Sequence, residues 1–148
     1  VIDRVAEVKE QIDFGASVIS QVVAAKLLTS GVWEKQVDKL LVTLRQRRDA
    51  MVRYLQEHVG DKLEFSIPHG GYHLWARLKK PVPDTVLVDG MICHGVLVMP
   101  GRIYGSDPGY IRLTFAASTS EQIQEGIQRL GHALGDILSK TVPQGSRE

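Results

Sequence analysis

The chemistry open to this chain centres on one arginine. Arg112 stands in the alternating run Tyr110-Ile111-Arg112-Leu113-Thr114-Phe115. Alternation puts Ile111, Leu113 and Phe115 on one face of a strand and Tyr110, Arg112 and Thr114 on the other. Two readings follow from the pattern. Arg112 is an edge-strand arginine with its head in solvent, or it is a fixed guanidinium fork, a shape that suits bidentate binding of a carboxylate. Directly before it runs Pro100-Gly101-Arg102-Ile103-Tyr104-Gly105-Ser106-Asp107-Pro108-Gly109. No Gly-Lys-Ser/Thr follows and no helix opens here, so this is not a phosphate-binding loop of the Walker type. It is either plain connection or the rim of a site.

Other reactive side chains carry less. His69 and His73 are four apart but straddle a turn and the start of a strand. Four residues of strand cover roughly 13 Å, too far for one ion. With no HExxH and no cysteine pair, a metal site is not expected, and the five histidines read as surface or loop residues. Cys93 and His94 are adjacent, so on a helix they point apart, and Cys93 reads as a small core residue. Arg45, Arg47, Arg48 and Arg53 spread over several helix faces around Asp49. Such a cluster reads first as a solvated face or an interface, and only second as a nucleic-acid contact.

The elements that must position these residues follow from periodicity. Ile2, Val5 and Val8 open a helical stretch that Asp13-Phe14-Gly15-Ala16-Ser17 interrupts. An apolar helix resumes through Val18, Val22, Ala25 and Leu28 and stops at Thr29-Ser30-Gly31. A long amphipathic helix then carries Trp33, Val37, Leu40, Leu41, Leu44, Met51, Val52, Leu55 and Val59 at three-and-four spacing. The period changes to two at Leu63, Phe65 and Ile67, turns at Pro68-His69-Gly70-Gly71, and continues through Tyr72, Leu74, Ala76 and Leu78, as in a hairpin. A helix is expected over 84–94, with Val86, Leu87 and Ile92 inward and Gly95 just beyond its end. A buried strand is expected over 96–99. The last helix opens with Ser118-Thr119-Ser120-Glu121, the spacing of a capping box, and buries Ile123, Ile127, Leu130, Leu134 and Ile137. The polar tail 141–148 is expected to be disordered. Together these predict an α/β fold of the α+β sandwich type: a small, largely antiparallel sheet with helices packed mainly on one face.

Composition narrows the function. The 148 residues carry 18 Lys+Arg against 17 Asp+Glu, a net charge of +1, which leaves no electrostatic footprint for nucleic acid. No run of about 18 apolar residues is present, so no membrane span is expected. The charged start VIDRVAEVKE does not read as a signal peptide. A single cysteine excludes an internal disulfide and fits a reducing, cytoplasmic compartment.

Four stretches, taken in order, resemble the C-terminal small domain of a class I/II aminotransferase of the pyridoxal-phosphate fold-type I superfamily. They are Gly15-Ala16-Ser17-Val18-Ile19-Ser20-Gln21, Pro68-His69-Gly70-Gly71-Tyr72-His73-Leu74-Trp75, Gly95-Val96-Leu97-Val98-Met99-Pro100-Gly101 and Tyr110-Ile111-Arg112-Leu113-Thr114-Phe115-Ala116. The resemblance covers residues 1–138 and implies three parts: 1–14, a helix from the large domain or linker; 15–140, the small domain; and 141–148, the tail. It implies that Arg112 binds the α-carboxylate of an amino ligand, with Tyr104, Tyr72 and Gly71 bordering the pocket. It also implies that Gly15 and Ser17 lie near the cofactor phosphate of the partner in a homodimer.

The resemblance further implies pyridoxal 5'-phosphate in a longer parent, held on a lysine in a Ser-Lys context followed by Pro-Gly-x-Arg-x-Gly. That motif is absent here; none of Lys9, Lys26, Lys35, Lys39, Lys62, Lys79, Lys80 or Lys140 sits in it. The chain alone is therefore expected neither to bind the cofactor covalently nor to transaminate. Two parents share this domain. One is a GntR/MocR-type transcriptional regulator that senses an amino acid or amine carrying a carboxylate, and touches DNA only through a winged-helix segment outside this chain. The glycine loop and last strand resemble this kind more. The other is a stand-alone amino acid aminotransferase. A third reading, from fold alone, is a free-standing interaction module.

Overall fold

The computed structural model describes residues 1–13 and 15–141. In chain order it has α1 (Ile2–Asp13), α2 (Val18–Thr29), α3 (Val32–Val59), β1 (Leu63–Phe65), β2 (His73–Leu78), α4 (Asp84–Cys93), β3 (Met99–Pro100), a single 3-10 turn (Gly101–Tyr104), β4 (Tyr110–Thr114) and α5 (Ser120–Thr141). The chain divides into two compact units, Val1–Val42 and Thr43–Glu148, the division falling within α3.

The first unit is helical. Its α2 buries no residue at all, and Val18, Ile19, Val22, Val23, Leu27 and Leu28 are exposed. The apolar positions run all round the helix rather than along one stripe, a pattern typical of a helix covered on every side.

The second unit holds the core. Its sheet has the order β1-β2-β4-β3 with every pair antiparallel. Strict alternation divides the two faces. Leu74, Ala76 and Leu78 of β2 and Ile111 and Leu113 of β4 are buried. They pack with Leu55 and Val59 of α3, Leu87 and Met91 of α4, and the full expected stripe of α5, Ile123, Ile127, Leu130, Leu134 and Ile137. Each of the leucine, isoleucine, valine and methionine side chains among them contributes about 1.5–3 kcal/mol when fully buried. The opposite sheet face, with His73, Trp75, Arg77, Tyr110, Arg112 and Thr114, is half-buried or exposed.

Local devices lock the helices onto the sheet. Helix α4 ends in a Schellman motif: Gly95 has φ +68, its N–H donates to Ile92 O at 2.9 Å, and Val96 N–H donates to Met91 O at 3.0 Å. A Cβ on Gly90 would come within 2.6 Å of the Ile137 side chain, so glycine is what lets α4 lie this close to α5. His94 joins the same two helices, its ring nitrogens meeting Gly90 O at 2.9 Å and Asp136 Oδ2 at 3.0 Å.

Several sequence expectations shift. Cys93 and Ile92 are exposed rather than in the core, because the last turn of α4 rotates them off the α5 side while Met91 takes the buried position. The strand expected over 96–99 pairs only at Met99–Pro100; after the Schellman turn, residues 96–98 have not yet reached the β4 edge, although Val98 is buried. The capping box is one residue later than Ser118–Glu121: Thr119 N–H donates to Gln122 Oε1 at 2.9 Å and Gln122 N–H donates to Thr119 Oγ1 at 3.3 Å. Helix α5 runs through Thr141; the rest of the expected tail, 142–148, lies outside the described residues.

Candidate functional site

The site is built on the sheet face that bears no core. Strand β4 lies between β2 and β3, so Arg112 is not on an edge: Trp75 of β2 and Met99 of β3 are its cross-strand partners. The backbone beneath it is thus held on both sides, and the guanidinium projects from a fixed base. It lies over the ring of Tyr104, Cζ 4.6 Å from the ring centroid. No hydrogen bond or ion pair joins it to another described residue, so its N–H donors are free to take an anion.

Tyr104 is positioned by the turn that follows β3. Gly101 is buried against the sheet; a Cβ there would come within 2.5 Å of Tyr110 Cβ and 3.0 Å of Trp75 Cη2. Gly105 closes the turn in the left-handed region at φ +80, and its N–H donates to Arg102 O at 3.0 Å. The turn therefore rests directly on Trp75 and Tyr110. Four contacts then run across the face. Arg112 lies over Tyr104, and Tyr104 meets Trp75 edge-to-face with centroids 6.0 Å apart. Trp75 stacks on Tyr110 at 5.8 Å, and the Arg77 guanidinium lies 5.7 Å from the Tyr110 centroid. Arg77 also faces Glu64 across the β1–β2 pair. Trp75, Tyr110 and Arg77 are the residues that sequence reasoning missed. Their alternation phase was visible, but the register that sets Trp75 against Arg112 is a property of strand pairing.

A cavity of about 360 Å³ lies beside Arg112 where the sheet meets the core: its walls include His73, Met99 and Thr114 together with Leu113, Ile123 and Ile127 of the core side, and none of Tyr104, Tyr72 and Gly71. Its size is that of a small-molecule site. Arg112 is the one permanently charged side chain in its lining, which includes neither lysine nor carboxylate. A carboxylate with an apolar body suits such a wall. The lining offers no amine for a Schiff base.

The other expected residues are placed as follows. Gly71 has φ +79 and Tyr72 is half exposed. The Tyr72 carbonyl accepts Phe115 N–H at 3.1 Å and Thr114 Oγ1–H at 3.2 Å, which ties this turn to the end of β4. Tyr72 lies three positions before Trp75, about 10 Å along the strand from Arg112. Arg112 and Tyr104 are thus brought into contact, whereas Gly71 and Tyr72 lie in the turn before β2 and make no hydrogen bond or ring contact with either of them among the described residues. Gly15 and Ser17 belong to the first unit. Gly15 has φ +111, and Ser17 caps α2 through its carbonyl, which accepts Gln21 N–H at 3.1 Å, while its hydroxyl makes no cap bond.

The arginine cluster separates into two kinds. Arg45 and Arg53 are exposed, as a solvated face requires. Arg47 and Arg48 are half-buried and donate to the carbonyls of Ala116 and Pro68, the latter at 3.2 Å. They are structural ties, not surface charge.

Comparison with known proteins places this geometry. Residues 1–130 match the sequence profile described as aminotransferase class I and II. The HTH-type transcriptional regulator YdfD of Bacillus subtilis is 33% identical over 141 residues, covering 95% of this chain and 29% of the regulator. Aromatic-amino-acid aminotransferase 1 of Thermococcus litoralis is 29% identical over 135 residues, covering 89% of this chain and 32% of the enzyme. Among solved structures, a kynurenine aminotransferase of Pyrococcus horikoshii superposes with TM-score 0.87 at 27% identity, covering 93% of this chain and 35% of that one. The chain thus spans about a third of the length of the relatives it matches.

Proposed function

Because the chain belongs to the aminotransferase class I and II family, we propose that it is the small-domain part of a longer pyridoxal-phosphate protein, and that the parent is a transcriptional regulator sensing an amino compound. The fold is that of the aminotransferase small domain, a helix-backed antiparallel sheet with one face open. Similarity to an HTH-type regulator over 95% of the chain favours the regulator reading.

The observation that carries the ligand class is the free fork of Arg112 on its aromatic base. A planar guanidinium with two parallel N–H bonds recognises a carboxylate by geometry as well as charge. Tyr104 backs that guanidinium and limits its swing. Gly71 and Tyr72 border the ligand, and Gly15 and Ser17 lie toward the cofactor phosphate of a second subunit. Bound pyridoxal phosphate supplies an aldehyde that an amino group can condense with. The residues lining the Arg112 cavity do not provide its lysine, so the covalent link belongs to a part of the parent outside this chain. DNA contact likewise belongs to a separate segment, and the parent works in the cytoplasm.

The test is Arg112→Lys in the full-length protein, read by calorimetric titration with amino acids. Lysine keeps the charge and loses the fork, so affinity should fall about tenfold. Unchanged affinity removes Arg112 from its assigned role. The second reading, a stand-alone aminotransferase, rests on the similarity to the Thermococcus litoralis enzyme. A basic winged-helix segment of about 70 residues at the start of the parent decides for the regulator, and a parent of typical enzyme length without one decides against it.

A further inference from the structure

Helix α3 reaches two loops with two consecutive side chains. Successive residues on a helix point about 100° apart, so Arg47 and Arg48 diverge toward different targets. Arg48 Nη1–H donates to Pro68 O at 3.2 Å, in the loop 66–72 that joins β1 to β2 and carries Gly71 and Tyr72. Arg47 Nη1–H donates to Ala116 O, in the segment 115–119 that joins β4 to α5. The two loops are joined in turn where Tyr72 O accepts from Phe115 N–H and Thr114 Oγ1–H, at 3.1 and 3.2 Å.

Loop 66–72 needs such a tie. Among the described residues, the Arg48 bond is the one hydrogen bond found for residues 67–71. Gly70 and Gly71 add conformational freedom at its end, and Ile67 and His69 are exposed. Arg48 is itself held by Asp49, Nη2 to Oδ1 at 2.7 Å, and only 22% of its side chain is exposed. A charged donor on an otherwise untied carbonyl gives the bond more weight than a neutral pair would.

We propose that Arg48, with Arg47 beside it, is a positioning residue for the Arg112 site. Arg48 fixes the Gly71–Tyr72 turn against the end of β4, so that Tyr72 meets the ligand whose carboxylate Arg112 holds. This rests on the reading of Arg112 as the carboxylate site and of Tyr72 as a residue bordering the ligand. Neither Arg47 nor Arg48 touches the ligand; they act through the loops.

The experiment uses the full-length protein, 3-phenylpropionate as a carboxylate probe, and two readouts. Amide hydrogen exchange at residues 69–73 reports the loop directly. Titration with the probe reports the site. Arg48→Met keeps the aliphatic stem and removes the donors. It should speed exchange at 69–73 and weaken the probe about three- to tenfold, the range of one hydrogen bond. Arg48→Lys, which restores one donor, should recover most of both. In a Tyr72→Ala background, Arg48→Met should cost little further affinity, since the turn then has no side chain to present. Unchanged exchange in Arg48→Met overturns the proposal, as does an equal loss of affinity with and without Tyr72. Where Arg48→Met does not fold, Arg48→Gln carries the same two readouts. Arg112→Lys runs in parallel. If it leaves the probe unaffected, the carboxylate-site reading fails, while exchange at 69–73 still decides the tie.

Discussion

The ring of Tyr104 lies against the guanidinium of Arg112, 4.6 Å from centroid to Cζ, although the two residues come from different elements. Tyr104 closes the turn after β3, and Arg112 is the centre of β4. With its Cζ over a ring, the guanidinium is backed on one side by Tyr104. An arginine on a four-bond stem otherwise samples many rotamers, so the ring removes some of the entropy that ligand binding would have to offset.

Replacing Tyr104 tests that relationship. Tyr104→Phe keeps the aromatic face and should leave carboxylate affinity of the full-length protein within twofold. Tyr104→Leu removes the face and should weaken affinity by a factor of about two to five, the worth of an exposed cation–π contact. Calorimetric titration of both variants checks it; equal affinities for Leu and Phe would show that the ring does nothing for Arg112.

Gly101 makes a second prediction. Its missing Cβ is what lets the turn rest on Trp75 and Tyr110. Gly101→Ala should cost about 1–3 kcal/mol through overpacking, read as a lower urea midpoint at unchanged slope. Gly105→Ala has open space around its Cβ and carries only the strain of φ +80, so it should cost less.

The register of the α5 cap can be measured. Thr119→Ala should destabilise by about 1 kcal/mol, because it removes the side-chain acceptor for the Gln122 N–H. Ser118→Ala should be close to neutral, since the serine hydroxyl makes no bond to the helix. Chemical denaturation of the two variants side by side decides which residue caps α5.

Acid sensitivity follows from Glu121. Its carboxylate accepts its own backbone N–H and then the Thr119 hydroxyl, which holds its pKa below the usual 4.5. A group with a depressed native pKa contributes stability above its unfolded value and loses it as pH falls through the native one. Stability should therefore decline slightly as pH drops below about 4.5, and the Glu121→Gln variant should show a flatter curve over that window. Urea midpoints measured from pH 6 down to 3 would reveal the difference.

The core should answer to truncation. Leu55 and Leu134 are fully buried on helices that pack against the sheet. Changing either to alanine should cost about 2–5 kcal/mol, with the spread set by how far the site collapses. Thermal unfolding checks this, and a loss under 1 kcal/mol would place the residue outside the core.

What the sequence revealed depends on whether a feature is local. The stripe of α5, the alternation of β2 and β4, and the glycine after α4 are local patterns, and each predicts its element. The position of Arg112 between two strands is not local, because it needs the order β1-β2-β4-β3, in which β3 pairs with a strand later in the chain. The same holds for Arg47 and Arg48, whose carbonyl partners lie 69 and 20 residues away. Nothing in their spacing distinguishes a tie from a solvated charge. Cys93 fails for a subtler reason: a small apolar residue near a helix end can face either way, and the Schellman turn decides the matter after the apolar pattern has ended.

Helix α2 has a practical consequence for anyone handling the chain. All of its large aliphatic side chains face water, while every buried apolar residue found among the described residues lies at Leu44 or later. Colloidal behaviour and folding are therefore set by different parts of the polypeptide. The 148-residue chain should precipitate or form soluble clusters at concentrations where a shorter one beginning near Thr43 stays dispersed, although the two share the same core. Exposed valine and leucine on a helix attract their own kind whatever the net charge.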